Sequence, residues 1–512
     1  MKNGLGSYKV VALTLMAGLL FLTGCSSSGS AGNEGGASGE AAGETTASES
    51  TLEPYNIVMA YPSTPAKDLA QVQEAMSAIT KEKINATVTL MPITFGAWSQ
   101  QTNLMLAGNE KLDLMFTGSD FNYSSLVAKN QIIALDALLA DYGQDITEQL
   151  APEVLNASMV DGSIYGIPGI RDFAAKYGVV MRKDLVEKYG IDVSSIASVE
   201  DLTEVFKTIQ ENEPEMTPLV PSGQTYTFVE AFSGGMFDTL GDRLGVLPMD
   251  SEELKLVNFY ESQEYMDLAK LVRSWYEAGY ISKDVATSKE SGTELVKADR
   301  AFAYTSDLKP GYEQQSSRLT GKPMVAVPLT PAVTTTSRIT NVMMSIPRNS
   351  QDPERAMMFL NLLYTDKDLL NLLDNGIEGT HYVKTSDNMI AFPDGVDAST
   401  TGYASTNWLT GNNFMSYVWE GDDPEIWNLM KQFNDTANKS KALGITFNID
   451  AVKTEVAAVN NVKNQYRMGI ETGTLAPDEA LPEFIEKLKA AGIDKIIAEK
   501  QRQMDEWASR AE

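Results

Sequence analysis

Between Tyr55 and Phe116 the chain alternates strand-like and helix-like stretches, and this alternation restricts its fold more than any other feature. Tyr55 to Ala60 (YNIVMA) is a mostly apolar strand, after which Leu69, Val72, Met76 and Ile79 recur at the spacing of one helix face. Ala86 to Met91 is a second strand, Ala97 to Ala107 a helix closed by Gly108, and Leu112 to Phe116 a third strand. Strands separated by helices in this order form a mainly parallel sheet with right-handed crossovers, whose ligands bind in the crevice at the carboxyl ends of the strands. The loops there, Tyr61 to Thr64 and Gly118 to Tyr123, hold aromatics beside short polar groups. Trp98 is expected in the core, on a helix face that includes Leu104.

Beyond residue 50 the chain runs for about 460 residues, more than one hydrophobic core usually serves, so two lobes are expected. The stretch Asp161 to Ile191 reads as two short strands joined by an Arg-bearing loop. Asp161 and Gly162 turn, Ile164 to Ile167 is a short apolar run stopped by Pro168 and Gly169, and Tyr177 to Met181 is a second strand before a short helix closed by Gly190. Residues alone leave open a hairpin at the edge of an α/β enzyme. Ser198 and Asp201 read as a capping box before a helix carrying Leu202, Val205, Phe206 and Ile209. A helix from Glu264 to Ala278, strands at Ala301 to Ser306 and Met324 to Pro328, and a returning strand from Asn341 to Ile346 follow. Asp352 is the expected cap of the next helix, with Pro353 in its first position, and Gly376 closes the helix after that.

At the other end, Lys2 and Lys9 precede thirteen weakly polar to apolar residues, Val10 to Leu22, enough for a signal-peptide core and too few for a membrane span. Leu22-Thr23-Gly24-Cys25 is similar to the lipobox of bacterial lipoproteins, in which the cysteine sulfur receives a diacylglycerol. Cys25 is the single cysteine, so no internal disulfide is available. Residues 26–50 contain no aromatic and no large aliphatic side chain, the composition of a flexible tether. The net charge of −28 argues against nucleic acid and anionic lipid headgroups as ligands. One histidine makes a His-rich metal site unexpected, and the chain carries no P-loop, GxGxxG, HExxH, EF-hand loop or internal repeat. No cofactor and no metal are expected.

The runs DGSIYGIP (161–168) and RKDLVEKYG (182–190) resemble signatures of the extracellular solute-binding proteins of ABC importers. Gly376 to Tyr382, Asn407-Trp408, Gly411 to Asn413 and the closing QRQMDEW (501–507) are similar to a subgroup whose C-terminal region is a domain of unassigned function. The resemblance implies an α/β, two-lobed, hinged clamp, each lobe a mainly parallel sheet flanked by helices. It divides the chain into a leader (1–24), lipidated Cys25 with its tether (25–53), a first lobe (54–168 and 342–405) and a second (169–341 and 406–512). It implies a protein without catalytic residues, anchored by lipid on the extracellular face of the cell membrane, that captures an oligosaccharide and delivers it to permease subunits.

The expected ligand contacts are Tyr61, Asp120 and Asn122 from the first lobe, and Arg171, Gln224, Tyr226 and Tyr304 from the crossover and second lobe. Glu378, His381, Trp408 and Asn412 come from the C-terminal blocks. Aromatic faces suit the C–H face of a pyranose, and carboxylates and amides suit its hydroxyls. Alternatives are a cell-surface glycoside hydrolase, for which no carboxylate pair stands out, and a sensor or adhesion protein on the same fold.

Overall fold

The computed structural model describes residues 52–223 and 226–511. The expected leader, Cys25, most of its tether and Gln224 lie outside the described residues, as does the side chain of Asp120. The described residues form one compact unit.

The first sheet has the order Ala86–Ile93, Tyr55–Pro62, Leu114–Thr117, Met343–Ser345, Ile167–Pro168. Tyr55–Pro62 pairs in parallel with both neighbours, Tyr55 opposite Ala86 and Met59 opposite Leu114. The returning Met343–Ser345 strand is antiparallel to those beside it, so one reversed strand is set into a mainly parallel sheet. Ile57, Met59, Leu114 and Phe116 are fully buried, which fits strands covered on both faces. Helix Leu69–Ile84 buries Val72 and Met76 against this sheet, and Asn85, left-handed at φ 44°, ends it. Asp352 caps helix Pro353–Thr365 as expected, accepting 2.9 Å from the Arg355 N–H. Trp98 is buried at 2 % exposure, but Leu104, expected beside it, is 63 % exposed; Met105 and Leu106 turn inward instead.

The second sheet has the order Met324–Pro328, Lys176–Arg182, Ala301–Leu308, Thr217–Val220. Here the crossing strand Lys176–Arg182 is the reversed one, antiparallel to both neighbours, while Ala301–Leu308 and Thr217–Val220 are parallel. Each sheet therefore receives its single reversed strand from a segment that crosses between the cores. Helix Gln263–Ala278, capped by the Ser262 hydroxyl and ended by Gly279, buries Trp275 and Tyr265 in the second core. The C-terminal helices Lys453–Glu471, Pro477–Ala491 and Ile493–Ala511 add Val459, Phe484, Leu488 and Ile496 to that core.

Three expectations change. The Ile164 to Ile167 run is split: Ser163–Ile164 pairs with Met159–Val160, and Ile167–Pro168 joins the main sheet. Gly166 between them is so closely packed that a Cβ would come within 3.2 Å of Met343 and Ser345 side-chain atoms. The capping box at Ser198 is half made, because the Asp201 carboxylate takes the Ser198 N–H while the hydroxyl donates to that carboxylate instead of accepting. The second-lobe boundary at 406 falls too early: Leu409 is buried in the first core and Phe414 packs on it. Among the described residues no helix is long and apolar enough to cross a membrane.

Candidate functional site

A cleft runs between the two cores as three connected chambers. The central one, about 400 Å³, is bounded by Arg171 and Asp172 of the first crossing segment, Tyr226, Asp307 at the carboxyl end of Ala301–Leu308, Arg338, and Trp408 from the first-core side. Arg171, Asp172, Lys309, Gln315 and Trp408 also line an aromatic chamber of about 350 Å³ that adds Tyr417, Trp419 and Trp427. In the other direction Arg338 and Asn341 are shared with a chamber of about 620 Å³ that reaches Arg243, Lys463 and Arg467.

Charge in the central chamber is paired and fixed. Arg171 Nε donates to Asp172 Oδ1 at 2.7 Å and Lys309 Nζ lies 3.1 Å from Asp172 Oδ2. Burial alone would raise the Asp172 carboxyl, but Lys309, Arg171 and Arg338 outweigh it and hold the group well below the usual carboxylate range. In the same chamber, Arg338 Nη1 donates to Asp307 Oδ2 at 2.7 Å, and the Tyr226 hydroxyl donates to Asp307 Oδ1 at 3.0 Å. Burial, with Asp307 beside it, pushes the Tyr226 hydroxyl well up, so it stays a neutral donor at physiological pH. Trp408, 40 % exposed, presents a ring that stacks on Phe95 at 6.3 Å and carries the Arg171 guanidinium at 5.0 Å. A flat apolar face rimmed by bidentate donors and acceptors is the arrangement that holds a polyhydroxylated ring.

Of the residues expected here, Arg171, Tyr226 and Trp408 line the cleft. Others do not. Tyr61 is 3 % exposed in the first core, its hydroxyl pushed up to about 12 by burial and hydrogen bonded to Tyr403 and Ser405. Tyr304 points to the far face of the second sheet, where its hydroxyl donates to Ser316 at 2.9 Å. His381 is buried and accepts at Nδ1 from the Ile377 N–H at 2.9 Å. Glu378 is exposed and paired with Lys384 at 3.0 Å. Asn412 spends its amide on Gln149 at 2.7 Å and the Phe414 N–H at 3.1 Å. Asn122 is exposed and left-handed at φ 64°, joining a short turn to the next helix, and is not among the residues that line the three chambers. Sequence reasoning missed Asp172, Asp307, Lys309, Arg338 and the Trp419–Trp427 pair. Lys463, Arg467 and Glu471, four residues apart on one helix, were a legible signal: three charges at core-facing spacing. Among the described residues no group of three or more His, Cys, Asp or Glu side chains is placed to hold a metal ion.

A family model for the bacterial extracellular solute-binding proteins matches residues 63–369, well over half of the chain. The chain belongs to that family. Such proteins bind their solutes without transforming them, and this solute-binding protein carries a second matched region, a domain of unknown function, at residues 441–509. It is 32 % identical over 437 residues to a carbohydrate ABC transporter substrate-binding protein of Streptococcus pneumoniae serotype 4, covering 84 % of this chain and 86 % of that one. It is 23 % identical to the lipoprotein LipO of Bacillus subtilis, with 84 % and 81 % covered. Among solved structures it resembles the N-glycan transport solute-binding protein NgtS of Streptococcus pneumoniae, with a TM-score of 0.81 at 29 % identity over 90 % of this chain and all of the other. Against the NgtS complexes with Man1GlcNAc and Man5GlcNAc the scores are 0.74 and 0.71.

Proposed function

We propose that this protein is the extracellular, lipid-anchored receptor of an ABC importer, that it captures an oligosaccharide in the cleft between its two cores, and that it passes the sugar to permease subunits. The observation that carries this reading is the Trp408 face, held by Arg171 and Phe95 at the mouth of a chamber with three further aromatic side chains, Tyr417, Trp419 and Trp427. Aromatic faces spaced along a cleft stack on successive pyranose rings, while Asp172, Asp307 and Arg338 meet the hydroxyls. A carbohydrate transporter component at 32 % identity and an N-glycan-binding protein at a TM-score of 0.81 support the same ligand class. Capture follows as a shift of population: a ligand that touches both cores favours the conformer in which it makes more contacts.

Anchoring is assigned to Cys25 on the strength of Leu22-Thr23-Gly24-Cys25 and of the likeness to a lipoprotein. Two acyl chains, at ~0.8 kcal/mol per buried CH₂, hold a protein on a membrane where one chain is marginal. Cys25→Ser, once its leader is cleaved, should leave the body folded and move it from the membrane fraction to the medium; a Ser variant that stays membrane-bound after a salt wash with the leader cleaved would remove the anchor.

The ligand class is tested by thermal shift with high-mannose-type oligosaccharides, followed by recovery of the sugar. Ligand at 100 times its dissociation constant stabilises the fold by ~2.7 kcal/mol, a rise of roughly 3 °C for a body of this size. A sugar that raises the melt and is recovered intact supports capture. Cleavage at an enzyme-proportional rate, or a shift by peptides and by no saccharide, would replace this reading.

A further inference from the structure

The chamber at the far end of the cleft differs in kind from the aromatic one. Arg243, Arg338, Lys463 and Arg467 line it, opposed by Glu230 and Asp242, and its one aromatic side chain is Tyr260. Both carboxylates are committed to neighbours. Glu230 takes Arg243 Nη2 at 2.7 Å on one oxygen and Arg467 Nη1 at 2.8 Å on the other. Asp242 is matched by the buried Lys500 at 2.5 Å and by the Leu244 N–H at 2.8 Å. Glu471, fully buried beneath, accepts from Thr227 and from Tyr265 and lies 3.6 Å from Arg467. Asp307 is held by Arg338 and Tyr226. The Lys463 ammonium meets no carboxylate within 4 Å among the described residues; its contact is the Asp242 carbonyl oxygen at 3.3 Å.

A second observation concerns hydrogen-bond demand. Four buried polar atoms on the lining residues have no partner among the described residues: Arg243 Nε, Arg338 Nε, the Tyr260 hydroxyl and Asn341 Oδ1. Tyr260 is 1 % exposed. Buried groups of this kind are rarely left unmade, because each costs the full desolvation of its dipole. Two of the four are donors on permanently charged guanidinium groups, one is a hydroxyl, and one is an amide acceptor. An anionic oxygen cluster in the chamber answers Lys463, and the four buried atoms mark unmet polar demand in the wall behind it. The guanidinium groups are matched by Glu230, Glu471 and Asp307, so the cation of the chamber that an anion can meet without competition is Lys463.

We propose that this chamber takes the anionic group, carboxylate or phosphate, of an acidic sugar residue at one end of the ligand, while neutral rings lie against the tryptophans at the other. The proposal rests on the saccharide reading above and adds the charge and the polarity of the bound chain.

The test uses the intact protein and two matched pairs of oligosaccharides: one ending in a sialic or uronic acid against the same sugar with its carboxyl reduced to an alcohol, and one ending in a sugar 6-phosphate against its dephosphorylated form. The charged member of at least one pair should bind tenfold tighter or more, and which pair responds tells carboxylate from phosphate. That preference should shrink in 0.5 M salt (about a 4 Å screening length) and fall several-fold in Lys463→Gln and Arg243→Gln. If either variant melts well below the parent, the salt dependence of the parent decides. Equal affinity within both pairs, or a preference that survives Lys463→Gln and high salt, overturns the proposal while leaving neutral saccharide capture standing. If no member of either pair binds, the saccharide reading falls with it.

Discussion

The Arg171 guanidinium lies over the Trp408 ring, 5.0 Å from its centroid, and so joins the first segment that crosses between the cores to a residue more than two hundred positions later. The same guanidinium donates to Asp172 at 2.7 Å, and the Phe95 ring lies beside Trp408, nearly parallel to it at 13°. A ring in contact with Phe95 and Arg171 and still 40 % exposed keeps its orientation without ligand, which lowers the ordering cost of binding.

Trp408→Ala should therefore act on affinity and Trp98→Ala on stability. Trp408 is 40 % exposed, so its loss should change unfolding free energy by less than about 1 kcal/mol while weakening saccharide binding roughly 10-fold or more. Trp98 is 2 % exposed and packs edge-on against Phe116, and its truncation should cost ~3–5 kcal/mol. Calorimetric titration and urea midpoints on both variants check the pair; equal effects on both readouts would dissolve the distinction.

Arg171→Ala should lower affinity by roughly 10- to 100-fold, the worth of one charge-assisted hydrogen bond. It also removes one of the cations that depress Asp172. A carboxyl whose folded pKa is depressed contributes stability above its unfolded value of ~3.9 and loses it as pH falls further. The unfolded carboxyl is common to both, so the stability gap between parent and variant should be constant at neutral pH and narrow only as pH falls through the variant's folded value toward the parent's, as read from urea midpoints from neutral pH down into the acid range. A gap independent of pH would mean that Arg171 acts by packing alone.

Much of the scaffold was legible because it is local. The strand and helix alternation before Phe116, the Asp352–Pro353 helix start and the Met324–Pro328 strand all follow from periodicity and capping within a few residues. The site was less so. Tyr304 and Ala303 sit on opposite faces of a strand that is buried on both sides, so no exposure pattern in the sequence says which face meets the cleft. Tyr61 ends the first strand, where ligands usually bind, yet it is covered by Tyr403 and Ser405, a segment more than three hundred residues away. Asp307, Arg338 and Lys463 converge from three separate elements, and only folding brings their charges together. Arg171 and Trp408 were accessible because short blocks around them are distinctive.

His381→Ala should leave saccharide affinity within about twofold and cost ~1–3 kcal/mol of stability, because the Ile377 N–H loses its acceptor in a buried turn. Gly376 packs against this imidazole with φ 81°, and a Cβ there would sit 2.6 Å from Nδ1. Affinity falling tenfold with an unchanged melt would return His381 to the ligand site.

Asp374→Asn should stabilise the protein at neutral pH. Asp374 is 5 % exposed, its two carboxylate oxygens have no hydrogen-bond partner among the described residues, and burial pushes its carboxyl well above the usual range. A carboxyl raised on folding makes the folded state bind the extra proton, so stability falls as pH climbs above the unfolded value of ~3.9. The uncharged asparagine has no such dependence. Its advantage, roughly 1–3 kcal/mol at pH 8, should fade toward pH 4; urea midpoints at the two values decide, and an advantage that grows on acidification would contradict the burial argument.

The central claim, that an oligosaccharide is captured by closure of the two cores around the Trp408 cleft, is tested most directly by small-angle X-ray scattering of the intact protein with and without a saturating sugar, alongside the Trp408→Ala variant. The account predicts a smaller radius of gyration with sugar for the parent, and none of that change at the same sugar concentration for the variant. A sugar that binds by calorimetry and leaves the parent's radius of gyration unchanged, or that compacts Trp408→Ala to the same degree, would contradict it.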